Sequence, residues 1–367
     1  MPFLLRRLYR FMTAHIDGIL LSGILLLMFT GLLVLLSASN GSYARVSGQL
    51  MNMLVALGVM WLFANIPPHF LMRLAPPLFV LGCALLVGVA LFGDVVNGAR
   101  RWLHVGVTRI QPSELMKIAL PLMLAWYFNR NEASLKLRNY FGAALMLAFP
   151  VALIARQPDL GTALLITASG CYVIFLAGLS WRVIATLFVA GLASLPFLWS
   201  ALHDYQRQRI MTLLDPTSDP LGAGYHTIQS TIAVGSGGIL GKGWMNGTQT
   251  HLDFIPERTT DFIFAVYAEE FGLLGNAVLL AMLLFLIGRA MVITANAPTL
   301  FARLLAGAIT LTFFTYAFVN IGMVSGILPV VGVPLPLISY GGTSLVSICL
   351  GFGILMSINT HKKLVQT

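Results

Sequence analysis

Apolar residues run in long unbroken stretches along this chain. They show neither the alternation of a half-buried strand nor the three-and-four spacing of an amphipathic surface helix. Ten such stretches fall at about 17–37, 47–66, 74–93, 112–128, 140–156, 160–179, 183–200, 262–288, 303–325 and 342–359. A helix needs about 20 residues to cross the hydrocarbon core of a bilayer, a length most of these reach and 112–128 and 140–156 fall short of. The pattern predicts an all-α polytopic membrane protein, one domain over residues 1–367 with about ten transmembrane helices.

Two segments break the pattern. About 201–261 is the only long polar connection, rich in Gly, Thr and Ser, and a structureless loop of that length is usually functional. About 326–341 has three prolines and several glycines, which forbid a regular helix, yet its side chains are mostly apolar. That combination predicts a re-entrant segment, which is tolerated only when buried in protein or lining a cavity.

Composition agrees with a membrane protein: 58% hydrophobic residues and 10% charged, against roughly a quarter charged in a soluble chain. The mean hydropathy is +0.86. Cys83, Cys171 and Cys349 lie far apart in apolar runs, as packing residues do, and not as a disulfide framework or metal site. The basic start at Arg6, Arg7 and Arg10 leads into an apolar run too long for a cleavable signal, with no small-residue cleavage site.

Charge then orients the chain. With the N-terminus in the cytoplasm, Arg73, Arg130, Lys136, Arg138, Arg182, Arg289, Arg303, Lys362 and Lys363 join the first three arginines inside. This is the positive-inside pattern; it predicts both termini cytoplasmic and 201–261 as a large extracytoplasmic loop. The net charge of +9 is thereby explained without a nucleic-acid partner. The outer loops nevertheless carry Arg100, Arg101, Arg109, Arg156, Arg207, Arg209, Lys242 and Arg258. Two readings stand: salt bridges with Asp94, Asp204, Asp215, Asp219 and Asp253, or a cationic outer face for a phosphate-bearing ligand. Gly235-Ser-Gly-Gly-Ile-Leu-Gly-Lys-Gly243 is not a nucleotide loop, because no Ser or Thr follows Lys242 and no strand precedes it. A flexible turn with Lys242 near a ligand fits better.

Several acids sit where the membrane makes them costly. Glu114 opens the span at 112–128 behind Pro112, where a helix dipole favours an anion, and Lys117 shares its face. A structural ion pair and a polar cavity wall are both consistent with that spacing. Asp159 starts the next-but-one span, and N-capping alone accounts for it. Asp261 stands where the long loop meets an apolar helix, just after Glu257 and Arg258. Three acids at the outer ends of three helices, among unexplained cations, fit one pocket with anion clamps and a general base. Glu269 and Glu270, deeper in the apolar run, read as scaffold.

Five motifs in order resemble those of the SEDS membrane proteins (shape, elongation, division and sporulation). They are Gly98-Ala-Arg-Arg-Trp-Leu103, Gln111-Pro-Ser-Glu-Leu-Met-Lys117, Gln157-Pro-Asp-Leu-Gly-Thr-Ala163, Phe254-Ile-Pro-Glu-Arg-Thr-Thr-Asp-Phe-Ile-Phe264 and Ile338-Ser-Tyr-Gly-Gly-Thr-Ser344. Pro256-Glu-Arg258 and the ending Met356-Ser-Ile-Asn-Thr-His-Lys-Lys363 resemble the RodA, or elongation, branch. The resemblance implies a glycosyltransferase that polymerises lipid II into peptidoglycan glycan strands for rod shape. Its implied partners are a class B penicillin-binding protein of PBP2 type and other elongation-complex membrane proteins.

Carried over residue by residue, Asp261 is the implied catalytic acid, and Glu114, Lys117 and Asp159 the supporting polar positions. Arg101 and Trp102 lie in the first outer-loop motif. An inverting displacement of the pyrophosphate requires a base at the acceptor hydroxyl, the role of Asp261. It also requires positive charge at the leaving group, from among Arg101, Arg109, Lys117, Arg156, Lys242 and Arg258. A divalent cation, Mg2+ or Mn2+, is a further expectation, with Asp159 or Glu114 as ligands; no metal-ligand spacing declares it. The alternative function is a lipid II flippase, which would use the same clamps but is disfavoured because the polar residues gather at the outer surface and not the midplane. A pure scaffold ranks lower, since it needs no carboxylate at a membrane seam.

Overall fold

The computed structural model describes residues 13–361 apart from 97–98, 106–107, 158, 202–203, 219, 221, 223, 253 and 256. The expected basic groups at Arg6, Arg7, Arg10, Lys362 and Lys363, and the acids Asp219 and Asp253, therefore lie outside the described residues. Each of the ten apolar stretches coincides with a helix. These are α1 (Gly18–Ala38), α2 (Tyr43–Ala64), α3 (Pro68–Phe92), α4 (Pro112–Arg130), α5 (Leu137–Ala155), α6 (Leu160–Leu176) and α7 (Trp181–Ala201), then α11 (Ile263–Ala295), α12 (Leu300–Val324) and α13 (Gly342–Thr360). Seven of the described helices are long and apolar enough to cross a membrane, and α6 and α7 contain shorter apolar helices. The chain is a helical, multi-pass membrane protein.

Two features correct the sequence reading. The connection at 94–110 is a three-stranded antiparallel sheet of β1 (Asp94–Val96), β2 (Ala99–Val105) and β3 (Thr108–Ile110), so the chain is not wholly α. The long loop is not structureless either. It holds α8 (Asp204–Leu214), α9 (Tyr225–Ser236) and the single turn α10 (Thr248–His251).

Some helix starts are fixed by short polar side chains that accept orphan amide protons. The Asp17 carboxylate caps α1 at Leu20 and Thr299 caps α12 at Ala302. Buried Asp17 also accepts from Arg289 of α11 and, at 2.8 Å, from Asn359 of α13, gathering three helix ends at one side of the protein. In the interior α12 packs against α4, α6 and α11, while α2 and α13 form the most extensive pair. Gly353 permits that pairing, since a Cβ there would lie 2.4 Å from the Met60 carbonyl oxygen.

The segment at 326–341 has irregular backbone, and Val333, Leu335, Leu337 and Ile338 in it are all buried. It lies against α1, where a Cβ on Gly31 would meet the Ile338 backbone at 2.8 Å, and against α6, where one on Gly161 would meet the Val331 carbonyl at 2.6 Å.

α11 is two helices joined at a break. Gly272 has φ 62° and ψ −161°, and the turn after α9 docks its backbone into the gap. Lys242 and Gly243 donate their N–H groups to the carbonyls of Glu269 and Glu270, both at 3.0 Å. In return, Leu273 and Leu274 donate to the carbonyls of Gly238 and Ile239, at 2.9 and 3.1 Å. The glycine-rich motif at 235–243 thus replaces the hydrogen bonds that the broken helix lacks. Gly272→Ala is expected to cost more than about 2 kcal/mol, from left-handed strain and overpacking together. Its Cβ would sit 2.3 Å from the Gly241 nitrogen. A melting temperature lower by several degrees in detergent is the expected result; an unchanged one would refute the role of this junction.

Candidate active site

Asp261 closes a loop whose backbone is held from outside at three successive carbonyls. Tyr340 N–H donates to Thr259 O at 2.9 Å and Ser339 Oγ to Thr260 O at 2.7 Å, both from the irregular segment. Asn320 Nδ2 of α12 donates to Asp261 O at 2.8 Å. Gly332, at φ 73°, faces the carboxylate, and a Cβ there would lie 3.4 Å from Asp261 Oδ2. The Asp261 carboxyl is raised to about 6, first by burial and then by the negative charge of Glu257. Glu257 is itself exposed and in the left-handed region at φ 51°, where its carboxylate accepts from Thr260 Oγ1. Behind the loop, His226 of α9 stacks on Phe262 at 5.6 Å.

A second cluster lies on α4. Lys117 Nζ donates to Glu114 Oε1 at 2.7 Å, and Ser347 of α13 donates to Glu114 Oε2 at 2.9 Å. The Lys117 ammonium also stands 5.4 Å from the ring centre of Tyr316 on α12. Tyr316 and Asn320 are four residues apart on one face of α12, about 6 Å along its axis. This cluster and the Asp261 loop are therefore neighbours across one helical turn.

The third cluster centres on Asp159, which caps α6 at Thr162 and accepts from Gln111 Nε2 at 3.3 Å. Arg101 of β2 stands 3.9 Å from it. One carboxylate thus both caps α6 and binds Gln111. Gly161, two residues on, packs against Val331 and Val333 of the segment that holds Asp261. The structure places Asp261, Glu114, Lys117, Asp159 and Arg101 around α12 and the irregular segment.

The remaining predicted residues are distributed differently. Trp102 is half-buried in β2, paired through its backbone with Asp94. Arg109 pairs through its backbone with His104, and its side chain lies outside the described residues. Arg156 is exposed at the C-terminal end of α5. Arg258 Nη1 donates to the Thr250 carbonyl, which ties α10 to the loop that carries Asp261. The Lys242 ammonium lies 2.7 Å from Glu269, a fully buried carboxylate. Thr248, Gln249 and Thr250 also donate to Glu269, which is the hub of this loop. Glu270 accepts from Ser37 of α1.

The donor set does not fit a metal centre as arranged. Both Glu114 oxygens accept from Lys117 and Ser347, both Asp159 oxygens are likewise engaged, and no group of three His, Cys, Asp or Glu gathers among the described residues.

Sequence reasoning overlooked Asn320, Tyr316, Ser339 and Ser347. A signal existed for Asn320, since a fully buried amide inside an apolar span demands internal partners.

Comparison with known proteins matches residues 18–364 to a family described as cell cycle proteins FtsW, RodA and SpoVE. The peptidoglycan glycosyltransferase MrdB of Escherichia coli K12 is 53% identical over 354 residues, 96% of this chain and 95% of that protein. Among solved structures, one described as structural coordination of polymerization and crosslinking by a peptidoglycan synthase complex superposes with a TM-score of 0.81. Its identity is 31%, over 94% of this chain and 98% of that one. The rod shape determining protein RodA of Thermus thermophilus gives a TM-score of 0.71 at 28% identity, over 94% of this chain and 96% of its own.

Proposed function

Because this chain belongs to the FtsW, RodA and SpoVE family of cell cycle proteins, we propose that its polar site is the active site of a peptidoglycan glycosyltransferase acting in cell elongation. The observation that carries the assignment is Asp261: a half-buried carboxylate, raised to about 6 and fixed by its backbone where a helix meets the long loop. In the proposed reaction lipid II supplies both sugars. Asp261 takes the proton of the GlcNAc C4 hydroxyl, whose oxygen attacks C1 of MurNAc with inversion. The bond from C1 to the pyrophosphate breaks, and undecaprenyl pyrophosphate leaves with the electron pair. Arg101 stands beside Asp159, Arg258 and Arg45 border the loop that carries Asp261, and Arg109 and Arg156 add to the positive outer face. Lys117 acts through Glu114, and Lys242 through Glu269. Trp102 offers an aromatic face to a sugar ring.

The accompanying topology has ten spans, both termini in the cytoplasm, the site facing outward and the plasma (inner) membrane as its location. A crosslinking partner of the class B penicillin-binding type fits the synthase complex to which the chain is similar. The test is glycan formation from lipid II by purified full-length protein, with and without partner and chelator. Product is expected in all but partner-limited conditions. Translocation of lipid II across proteoliposomes without any glycan would overturn the reading. With a base raised to about 6, the rate should rise with pH through about 6 and level off above it, because only the ionised carboxylate accepts the proton.

A further inference from the structure

One buried amide joins the base loop to the irregular segment. Asn320 is fully buried on α12, and its Nδ2 donates at 2.8 Å to the Asp261 carbonyl and at 2.7 Å to the Val333 carbonyl. Val333 immediately follows Gly332, the residue that faces the Asp261 carboxylate. The two protons of a single side chain thus fix both the residue that bears the carboxylate and the backbone it looks onto. The neighbouring bonds have different origins. Ser339 and Tyr340, which hold Thr260 and Thr259, belong to the irregular segment itself and would move with it. Among the described donors to these three carbonyls, Asn320 alone sits on a membrane helix. That helix also carries Tyr316, which stands beside Lys117. Position along α12 is thereby transmitted to the Asp261 loop through the Asn320 amide.

We infer that Asn320 is a positioning residue for the transfer reaction, setting where the Asp261 carboxylate stands relative to the acceptor hydroxyl and to Gly332. This rests on Asp261 being the base. Asn320 makes no contact with substrate in this role. A misplacement of about 1 Å at a reacting group is enough to cost about a hundredfold in rate.

The test uses full-length protein in nanodiscs with lipid II. Rates are expressed per monodisperse protein, and initial velocities are measured against substrate concentration from pH 5 to 8. Asn320→Ala removes both donors; Asn320→Asp keeps the shape but places a carboxyl group between the two carbonyls. Either variant is expected to lower kcat by at least 30-fold with KM within threefold of wild type. The acidic midpoint is expected to fall in both variants. It falls further in the alanine variant, where the loop relaxes into solvent, than in the aspartate variant, whose buried carboxyl stays protonated between the two carbonyl oxygens and keeps one donor. A purely structural defect lowers yield and active fraction without moving the midpoint. Should one variant give no monodisperse protein, the direction of the midpoint in the other decides. A rate within threefold of wild type, or a loss with the midpoint unmoved, overturns the inference. An Asp261→Asn control that retains full activity overturns the base assignment instead, so the two failures are distinguishable.

Discussion

Replacing Asp261 by asparagine is expected to lower glycan formation from lipid II by about a thousandfold or more, while the folded protein becomes more stable at pH 7.5. A positioned general base contributes about 10²- to 10⁴-fold, and asparagine keeps the shape of the side chain without its basicity. The stability effect has the opposite sign for a physical reason. The carboxyl is at about 6 in the folded protein against an ordinary 3.8, so folding favours its protonated form. That contribution is present in full below about pH 4 and is lost as pH rises through about 6. At neutral pH the ionised group therefore carries a penalty of up to about 3 kcal/mol, at 1.36 kcal/mol per pKa unit. A neutral amide escapes it. Thermal melting at pH 5 and 7.5 checks the sign: the advantage of the variant should be large at 7.5 and shrink at 5. Full activity in the variant would sink the base assignment, and a marked loss of stability would sink the account of its environment.

The second large effect is on folding. Glu269→Ala is expected to cost about 3 kcal/mol or more, because a fully buried carboxylate that anchors α10 and Lys242 disappears and leaves its donors unpaired. Lys242→Met should cost less. Glu269 would keep the hydroxyls of Thr248 and Thr250 and the amides of Gln249 and Thr250, and the lysine is itself partly exposed. Combining Lys242→Met with Glu269→Gln should be less damaging than the sum of the two, since neither charge is then left buried alone. A double-mutant cycle on detergent-stable protein measures this coupling. Strict additivity would show that the pair is incidental.

The sequence was most informative where the signal was local. The ten apolar stretches lie on ten helices because an uninterrupted apolar run has few alternatives in a bilayer. The third stretch was placed from 74, yet α3 begins at Pro68. Pro76 and Pro77 lie inside that helix and mimic a start. The eighth was ended before Arg289, which α11 carries as the partner of Asp17, an acid 272 positions away in the chain. Asp261, Glu114 and Asp159 stood out individually as costly acids at helix ends. What joins them did not, because Asn320, Tyr316 and Ser339 act through tertiary hydrogen bonds and ring contacts that no spacing in the sequence reveals. The short sheet at 94–110 was missed for a related reason: its strands, of three, seven and three residues, give too little alternation to be read. The ion pair of Lys242 was hidden for the same reason, since its partner Glu269 lies 27 positions on.

The break at Gly272 divides α11 into parts that answer to different surroundings. Residues 273–295 rise about 34 Å, close to the roughly 30 Å of a hydrocarbon core, so this portion alone is long enough to span it. Residues 263–271 are tied to the turn after α9 and, through Glu269, to the long loop that ends at Asp261. Four backbone hydrogen bonds hold the turn after α9 to both sides of the break. The long polar loop and the apolar helix are thereby riveted to one another at the backbone junction at Gly272.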